Sequence, residues 1–346
     1  MNNHILNTSN LKQALELLNS FLSKDSLTLF VVNTNNKLVG AITDGDIRRA
    51  LLKGLTLEAS VEQVMNVNPK YIQKNNYTIQ YINELKQKEI FLIPVVDEHN
   101  QLLKIVDLKR KKSLLPIDAV LMAGGEGRRL MPLTALIPKP MLKIGDKPII
   151  ETNIDRLVDY GIDNINISIN YLGHVIKDYF KSGEDKQVSI RYIEENQPLG
   201  TIGSLTMCNQ FHNDDVLLMN SDLLTNIDFE DFYNTYQASN ADLIVACIPY
   251  LVSLPYGVVE TEGNKVISIK EKPTYTYYSN AGIYLFKKAL IDLIPKDTFF
   301  NATDLMDKLI AANHKVVNYP LLNYWLDIGK PDDFVKAQED IKHLKF

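Results

Sequence analysis

The chain has 346 residues, 45% of them apolar and 23% charged, with a formal net charge of −5. That length suits two domains with substantial cores, and the acidic balance speaks against a nucleic-acid partner, whose footprint is basic. The two cysteines, Cys208 and Cys247, lack metal-ligand spacing and read as buried reduced thiols. No apolar run approaches a membrane span, and the polar start MNNHILNTSN is unlike a signal peptide, so a cytoplasmic protein without a membrane partner is expected.

Residues 1–115 contain a duplication. Residues 27–32 and 38–42 read as short strands around a turn at 33–36, and the pattern returns as 91–96, a turn at 97–100, and 102–106. Val31 corresponds to Val95 and Leu38 to Leu102, an offset of 64. An amphipathic helix precedes each hairpin. Leu11, Leu15, Leu18 and Leu22 share one face of the first, and Ile79, Ile82 and Leu85 one face of the second. Neither helix–strand–strand unit can bury its apolar face alone, so the two should pack as a pair. The run KRKK, Lys109 to Lys112, reads as a solvated helix end or linker. Pro116 marks the boundary, giving domains of 1–115 and 116–346.

This region, above all Gly40-Ala41-Ile42-Thr43-Asp44-Gly45-Asp46-Ile47-Arg48, resembles a tandem of cystathionine-β-synthase (CBS) motifs. As a family these bind adenosine nucleotides in the cleft between copies. The resemblance implies that Thr43 and Asp46 form a regulatory nucleotide site, the Asp46 carboxylate accepting hydrogen bonds from ribose hydroxyls. Asp44 could instead cap the helix that starts there, a role needing no ligand. At the same offset the second copy has Asp107 for the threonine and Arg110 for the aspartate. One competent site at most is expected, and a structural or dimerising role for the pair stays open.

From Ile117 apolar strands alternate with helical segments, the pattern of an α/β fold with a mostly parallel sheet. The first strand, 117–122, runs into Gly124, Gly125 and Gly127, where backbone N–H groups can turn toward a polyphosphate. Arg128 and Arg129 follow at once, and a proline-held loop carries Lys139 between Pro138 and Pro140. A glycine turn with solvated arginines would read the same way. No Lys-Ser or Lys-Thr follows the glycines, which excludes the P-loop, and Leu130 stands where the dinucleotide fingerprint needs its third glycine.

Taken together, Gly124 to Leu130, Pro132-Leu133-Thr134 and Pro138-Lys139-Pro140-Met141 resemble the sugar-1-phosphate nucleotidyltransferase signature GGxGxRLxPLTxxxPKPM. Arg128 departs from the Thr or Ser common there. The resemblance implies a Rossmann-like domain with a mixed, mostly parallel sheet, preceded by an α/β CBS pair. It implies catalytic roles for Arg129 and Lys139, and contacts to the nucleotide from Gly124, Gly125 and Gly127.

Further along, a helix opens at Pro148 and closes at Gly161; Ile165, Ile167 and Ile169 alternate as a strand; 172–180 is a helix and 188–193 a strand. His174, on that helix, reads as surface or packing. The segment Pro198-Leu199-Gly200-Thr201-Ile202-Gly203 resembles the family's PLGTAG, which contacts the base and implicates Gly200 and Thr201; a helix N-cap at Thr201 is compatible with that. Residues 216–219 form a strand ending at Asn220-Ser221-Asp222. With Trp325-Leu326-Asp327-Ile328-Gly329, similar to the family's W-x-D-x-G, Asp222 and Asp327 are implied as two ligands of Mg²⁺. Between them a hairpin of 256–259 and 266–269 leads into Glu271-Lys272-Pro273 and Asn280-Ala281-Gly282. These look like the family's YG, EKP and NAG motifs, implying Gly257, Glu271 and Asn280 at the sugar and Lys272 at its phosphate. The tyrosines at 275, 277 and 278 could stack on a ligand or pack on the hairpin, and the final helix, 331–343, reads as packing or assembly.

The activity implied is transfer of a nucleotidyl group from an NTP to a sugar 1-phosphate, giving an NDP-sugar and pyrophosphate. The order of CBS pair and transferase resembles bacterial guanylyltransferases of the legionaminic-acid route, which points to GTP and glucosamine 1-phosphate. Mannose or heptose 1-phosphate, another base, or a catalytically dead nucleotide-sensing subunit are the alternatives. A homo-oligomer is expected.

Overall fold

The computed structural model describes residues 3–21, 27–74, 76–208 and 210–344. Leu22, placed above on the first helix face, lies outside them. The chain divides into two compact units, Met1–Leu114 and Leu115–Phe346. Among the described residues no helix is long and apolar enough to cross a membrane.

The first unit repeats itself. Strand β1 (His4–Leu6) and helix α1 (Leu11–Asn19) precede the hairpin β2 (Thr28–Val32) and β3 (Leu38–Thr43), which runs into α2 (Asp44–Leu52). The second copy comprises β4 (Ile72–Gln73), α3 (Ile79–Gln87), β5 (Leu92–Val96) and β6 (Leu102–Asp107). Each copy makes a three-stranded sheet with one parallel and one antiparallel pair. Even the bulge recurs, between Val31 and Val32 and between Val95 and Val96. The hairpin turns join the copies reciprocally: Leu38 N donates to Asn100 O and Leu102 N to Asn36 O, both at 2.9 Å. The copies keep separate apolar cores, around Leu11, Leu29 and Ile47 in one and Ile82, Leu85 and Ile93 in the other.

The copies differ after their hairpins. In α2 the first turn carries Asp44 and Asp46, which suit the positive end of the helix dipole and pair with Arg48 at 2.8 Å and Arg49 at 2.6 Å. The cap is Thr43, so the capping role weighed above for Asp44 falls to its neighbour. In the second copy the equivalent stretch carries KRKK and no acid in its first turn, and no helix forms over 108–116.

The second unit begins with β7 (Ile117–Met122). The short hairpin β8 (Lys143–Ile144) and β9 (Lys147–Pro148) leads into α4 (Ile149–Asp159), and β10 (Asn164–Ile169), α5 (Gly173–Phe180), β11 (Ser189–Glu194) and β12 (Asp215–Asn220) follow. Next come β13 (Leu223–Thr225), α6 (Phe229–Ser239), β14 (Leu243–Ser253), the hairpin β15 (Val258–Glu262) and β16 (Lys265–Lys270), and β17 (Thr274–Lys287). The unit closes with α7 (Ala302–Ala311), β18 (Val316–Pro320), β19 (Trp325–Asp327) and α8 (Pro331–Asp340).

The central sheet has the order β11-β10-β7-β12-β17-β14-β18. Its first four strands are parallel, and β17 runs antiparallel to both neighbours. The mixed, mostly parallel α/β sheet is thus as expected. Its interior is filled from β7, β12, β14 and β17 with Leu305 and Leu309 of α7, while Leu130, Ile149, Leu224, Ile328 and Ala337 form a second cluster.

Candidate active site

Strand β7 lies between β10 and β12, so the chain reverses its direction of travel across the sheet there. Ligands of open α/β sheets bind beyond the carboxyl ends of strands at such a point. The turns leaving β7, β10, β11 and β12 meet at one rim, where a cavity of about 320 Å³ is lined by Gly124, Gly125, Lys139, Gly200, Thr201 and Asp222. Six of the residues singled out from sequence therefore share one space.

The glycine turn fits tightly on one side and opens on the other. A Cβ on Gly124 would meet Asn170 Cβ and Glu195 Oε1, each at 3.3 Å, whereas one on Gly125 would meet nothing within 4 Å. Gly127 takes φ +62°, and Thr134 Oγ1 donates to its carbonyl at 2.9 Å. Arg128 turns outward and pairs with Glu126 at 2.5 Å.

Lys139 sits in a short turn bounded by its two prolines, with its side chain 12% exposed. Its ammonium forms an ion pair with Asp222 and stands 3.6 Å from Asp327. Asp222 stands just before β13 and Asp327 at the end of its partner β19, with Leu223 in register with Asp327. Ile328 N donates to Asp222 O at 3.2 Å. Arg129 completes the group. Its guanidinium lies over Gly329, where an added Cβ would stand 3.2 Å from Nη2, and its charge acts on Asp327. Burial, and then the Asp222 charge, push the Asp327 carboxyl above its ordinary value, with Lys139 and Arg129 pulling the other way.

Two carboxylates that share Lys139, one of them lining the glycine-rich cavity, suit a hard divalent cation. Among the described residues no three His, Cys, Asp or Glu side chains form a group that could hold a metal. Mg²⁺ fits that donor set, since it is commonly held by one or two carboxylates with waters and substrate phosphates completing the shell.

Glu195 was not apparent from sequence. Its Oε1 accepts from Ser168 Oγ at 2.5 Å and its Oε2 from Leu199 N at 3.1 Å, which fixes the segment leading to Gly200. The signal was present, a carboxylate just past β11, but its buried partner Ser168 is on another strand. Thr201 meets a helix start, though not one in its own segment: the turn after it is a short 3-10 segment, Gly203–Met207, and its Oγ1 accepts from Ala302 N at 2.8 Å, at the start of α7, 101 positions further on.

Gly257, Glu271, Lys272 and Asn280, expected at the sugar phosphate, do not line that cavity. Asn280 bonds Tyr284 Oη at 2.7 Å and Gly282 N at 2.9 Å, and Gly282 packs against Asn220 of the rim. Gly257 lies close to Glu271, whose Oε2 is 3.1 Å from where a Cβ would stand. Lys272 takes φ +44°, a strained conformation for a side-chain-bearing residue. Among the described residues no hydrogen bond or ion pair joins it to Lys139, Asp222 or Asp327.

In the first unit, Asp46 is committed to its own helix. Its Oδ2 accepts from Thr43 N at 2.9 Å and Thr43 Oγ1 at 2.7 Å, and its Oδ1 from Arg49 at 2.6 Å. Burial pushes this carboxyl up, but the bonds from Thr43 and Arg49 outweigh it and hold the group below its ordinary range.

Residues 118–343 match the nucleotidyl transferase family model, and residues 5–53 the CBS domain model. The chain is 30% identical over 231 residues to a mannose-1-phosphate guanylyltransferase of Mycobacterium tuberculosis, covering 65% of this chain and 64% of that one, so it spans just under two thirds of that relative. It is 30% identical over 230 residues to the D-glycero-alpha-D-manno-heptose 1-phosphate guanylyltransferase of Aneurinibacillus thermoaerophilus, covering 66% of this chain and 99% of that one. Among solved structures, HddC from Yersinia pseudotuberculosis complexed with GMP-PN superposes with a TM-score of 0.51 at 28% identity, over 65% of this chain and 99% of that one. With its glycine turn, its two carboxylates and the shared lysine all inside the matched span, the chain belongs to the nucleotidyl transferase family.

Proposed function

We propose that the second unit transfers a guanylyl group from GTP to a sugar 1-phosphate, giving a GDP-sugar and pyrophosphate. The observation that carries this reading is Lys139 shared between Asp222 and Asp327 beside the glycine-lined cavity. A phosphate oxygen of the sugar phosphate attacks the α-phosphorus in line, the P–O bond to the β-phosphate breaks, and pyrophosphate leaves with the electron pair. The attacking phosphate is already anionic near neutral pH, so neither a covalent nucleophile nor a strong base is needed. The barrier is repulsion between two anions and the charge growing on pyrophosphate. Arg129, Lys139 and the amides of the glycine turn meet it by fixed charge and orientation, and Lys272, just past β16, holds the incoming phosphate. Gly257, Glu271 and Asn280 bind the sugar. Mg²⁺, held by Asp222 and Asp327, would supply charge neutralisation at the phosphate oxygens.

Guanine is supported by the names of the two relatives and by the GMP-PN complex. For the sugar, those names point to mannose or a manno-heptose, and the domain order to glucosamine 1-phosphate. Residues 1–115 form the CBS pair in this proposal. The internal commitment of Asp46 supports capping over binding an adenosine effector, which leaves assembly of a homo-oligomer as the role proposed for the pair. The test is pyrophosphate release with four NTPs against glucosamine, mannose and manno-heptose 1-phosphates. GTP should be used best. Preference for UTP or dTTP would overturn the base, and no release with any pair would overturn the transferase.

A further inference from the structure

Helix α4 buries an apolar face, Ile149, Ile150, Ile154 and Leu157, yet two strongly polar side chains on it, Asn153 and Arg156, are each only 2% exposed. Burial of an amide and a guanidinium on such a face is unfavourable unless their donors are matched. Both reach across to one stretch of chain. Asn153 Nδ2 donates to Ser221 O at 3.2 Å and Leu223 O at 2.9 Å, the carbonyls on either side of Asp222. Arg156 donates to the carbonyls of Thr225 and Ile227, with its guanidinium 5.2 Å from the Phe229 ring centre. Four alternate carbonyls of residues 221–227 are thus held by one turn of one helix.

That stretch needs holding. Its sheet pairing is the three-residue ladder of β13 with β19, and a two-stranded ladder so short is marginal by itself. Asp222 directly precedes that ladder, and Asp327 stands in it opposite Leu223. We propose that Asn153 and Arg156 are positioning residues that set the separation and orientation of the Asp222 and Asp327 carboxylates, and so the affinity of the site for its divalent cation. This rests on the metal reading above. Neither residue touches substrate in the proposed reaction; both act through the backbone that carries Asp222.

The test uses the full chain and Mn²⁺ as the probe, read by loss of the free-ion EPR signal without nucleotide. Asn153→Ala should weaken Mn²⁺ binding about tenfold, as expected for a lost outer partner, and raise the Mg²⁺ needed for half-maximal turnover equally. KM for the sugar 1-phosphate should not change. Arg156→Lys, which keeps the charge but not the fork, should show a smaller shift in the same direction. Leu305→Ala, in the separate core cluster and equally buried, controls for lost stability. Wild-type Mn²⁺ affinity in folded Asn153→Ala and Arg156→Lys would overturn the proposal, as would an equal loss in Leu305→Ala. A wild-type chain that binds no Mn²⁺ would remove the metal reading and the proposal with it.

Discussion

Asp46 and Asp222 were both singled out by short motifs, and the fold treats them in opposite ways. Asp46 finds its partners within three residues, Thr43 before it and Arg49 after it, and these bonds complete a helix cap. Asp222 finds Lys139 83 positions back in the chain and shares it with Asp327, brought alongside by strand pairing. A carboxylate satisfied locally stabilises the helix it belongs to and has few free lone pairs for a ligand. One assembled from distant segments has its charge set by tertiary structure, at a rim where the chain leaves space.

The largest effect should come from the nonlocal group. Asp222→Ala is expected to abolish formation of the GDP-sugar, measured by pyrophosphate release, while circular dichroism and the melting curve stay those of a folded protein. Full turnover in the folded variant would overturn the metal role proposed for Asp222. The local group should give a modest stability effect. Asp46→Ala removes the reciprocal half of a capping box and should destabilise the first unit by about 1 kcal/mol, seen as an earlier urea midpoint. AMP should leave the wild-type midpoint where it is. A rise with AMP that the variant lacks would make Asp46 a ribose ligand after all.

The smallest effect concerns Asp242, which has distant partners but no place in the cavity. The Lys287 ammonium, at 2.7 Å, is the main cause holding its carboxyl down to about 2, with Lys315 N and His314 adding to it. Because the folded value lies below the unfolded one, this group's contribution is complete above about pH 4 and lost as pH falls from there toward 2. Asp242→Asn should therefore lower stability near neutral pH and flatten its fall over that acid range, measured by urea unfolding at stepped pH. An unchanged acid limb would show that Lys287 does little for Asp242.

Much of the fold was legible because it depends on neighbours in sequence. The strand 117–122 coincides with β7, and the offset of 64 maps β2 and β3 onto β5 and β6 residue for residue. The missing helix of the second copy follows from composition, four cations in a row with no acid to start the turn. The helix start that Thr201 meets could not be read from sequence, since its partner, Ala302, is far away in the chain. Nothing local in the sequence marks Asn153 and Arg156 within their helix, and only packing shows both buried against the carbonyls of residues 221–227.

The sequence by itself determined the repeat, the alternation of strand and helix, and the residue types able to face a polyphosphate, because periodicity, turn chemistry and side-chain charge are local properties. Which carboxylate would remain available, which would disappear into a cap, and which helix would brace the segment between Ser221 and Ile227 were decided only in three dimensions. Those outcomes depend on strand order and register, which bring residues separated by dozens of positions within hydrogen-bonding distance.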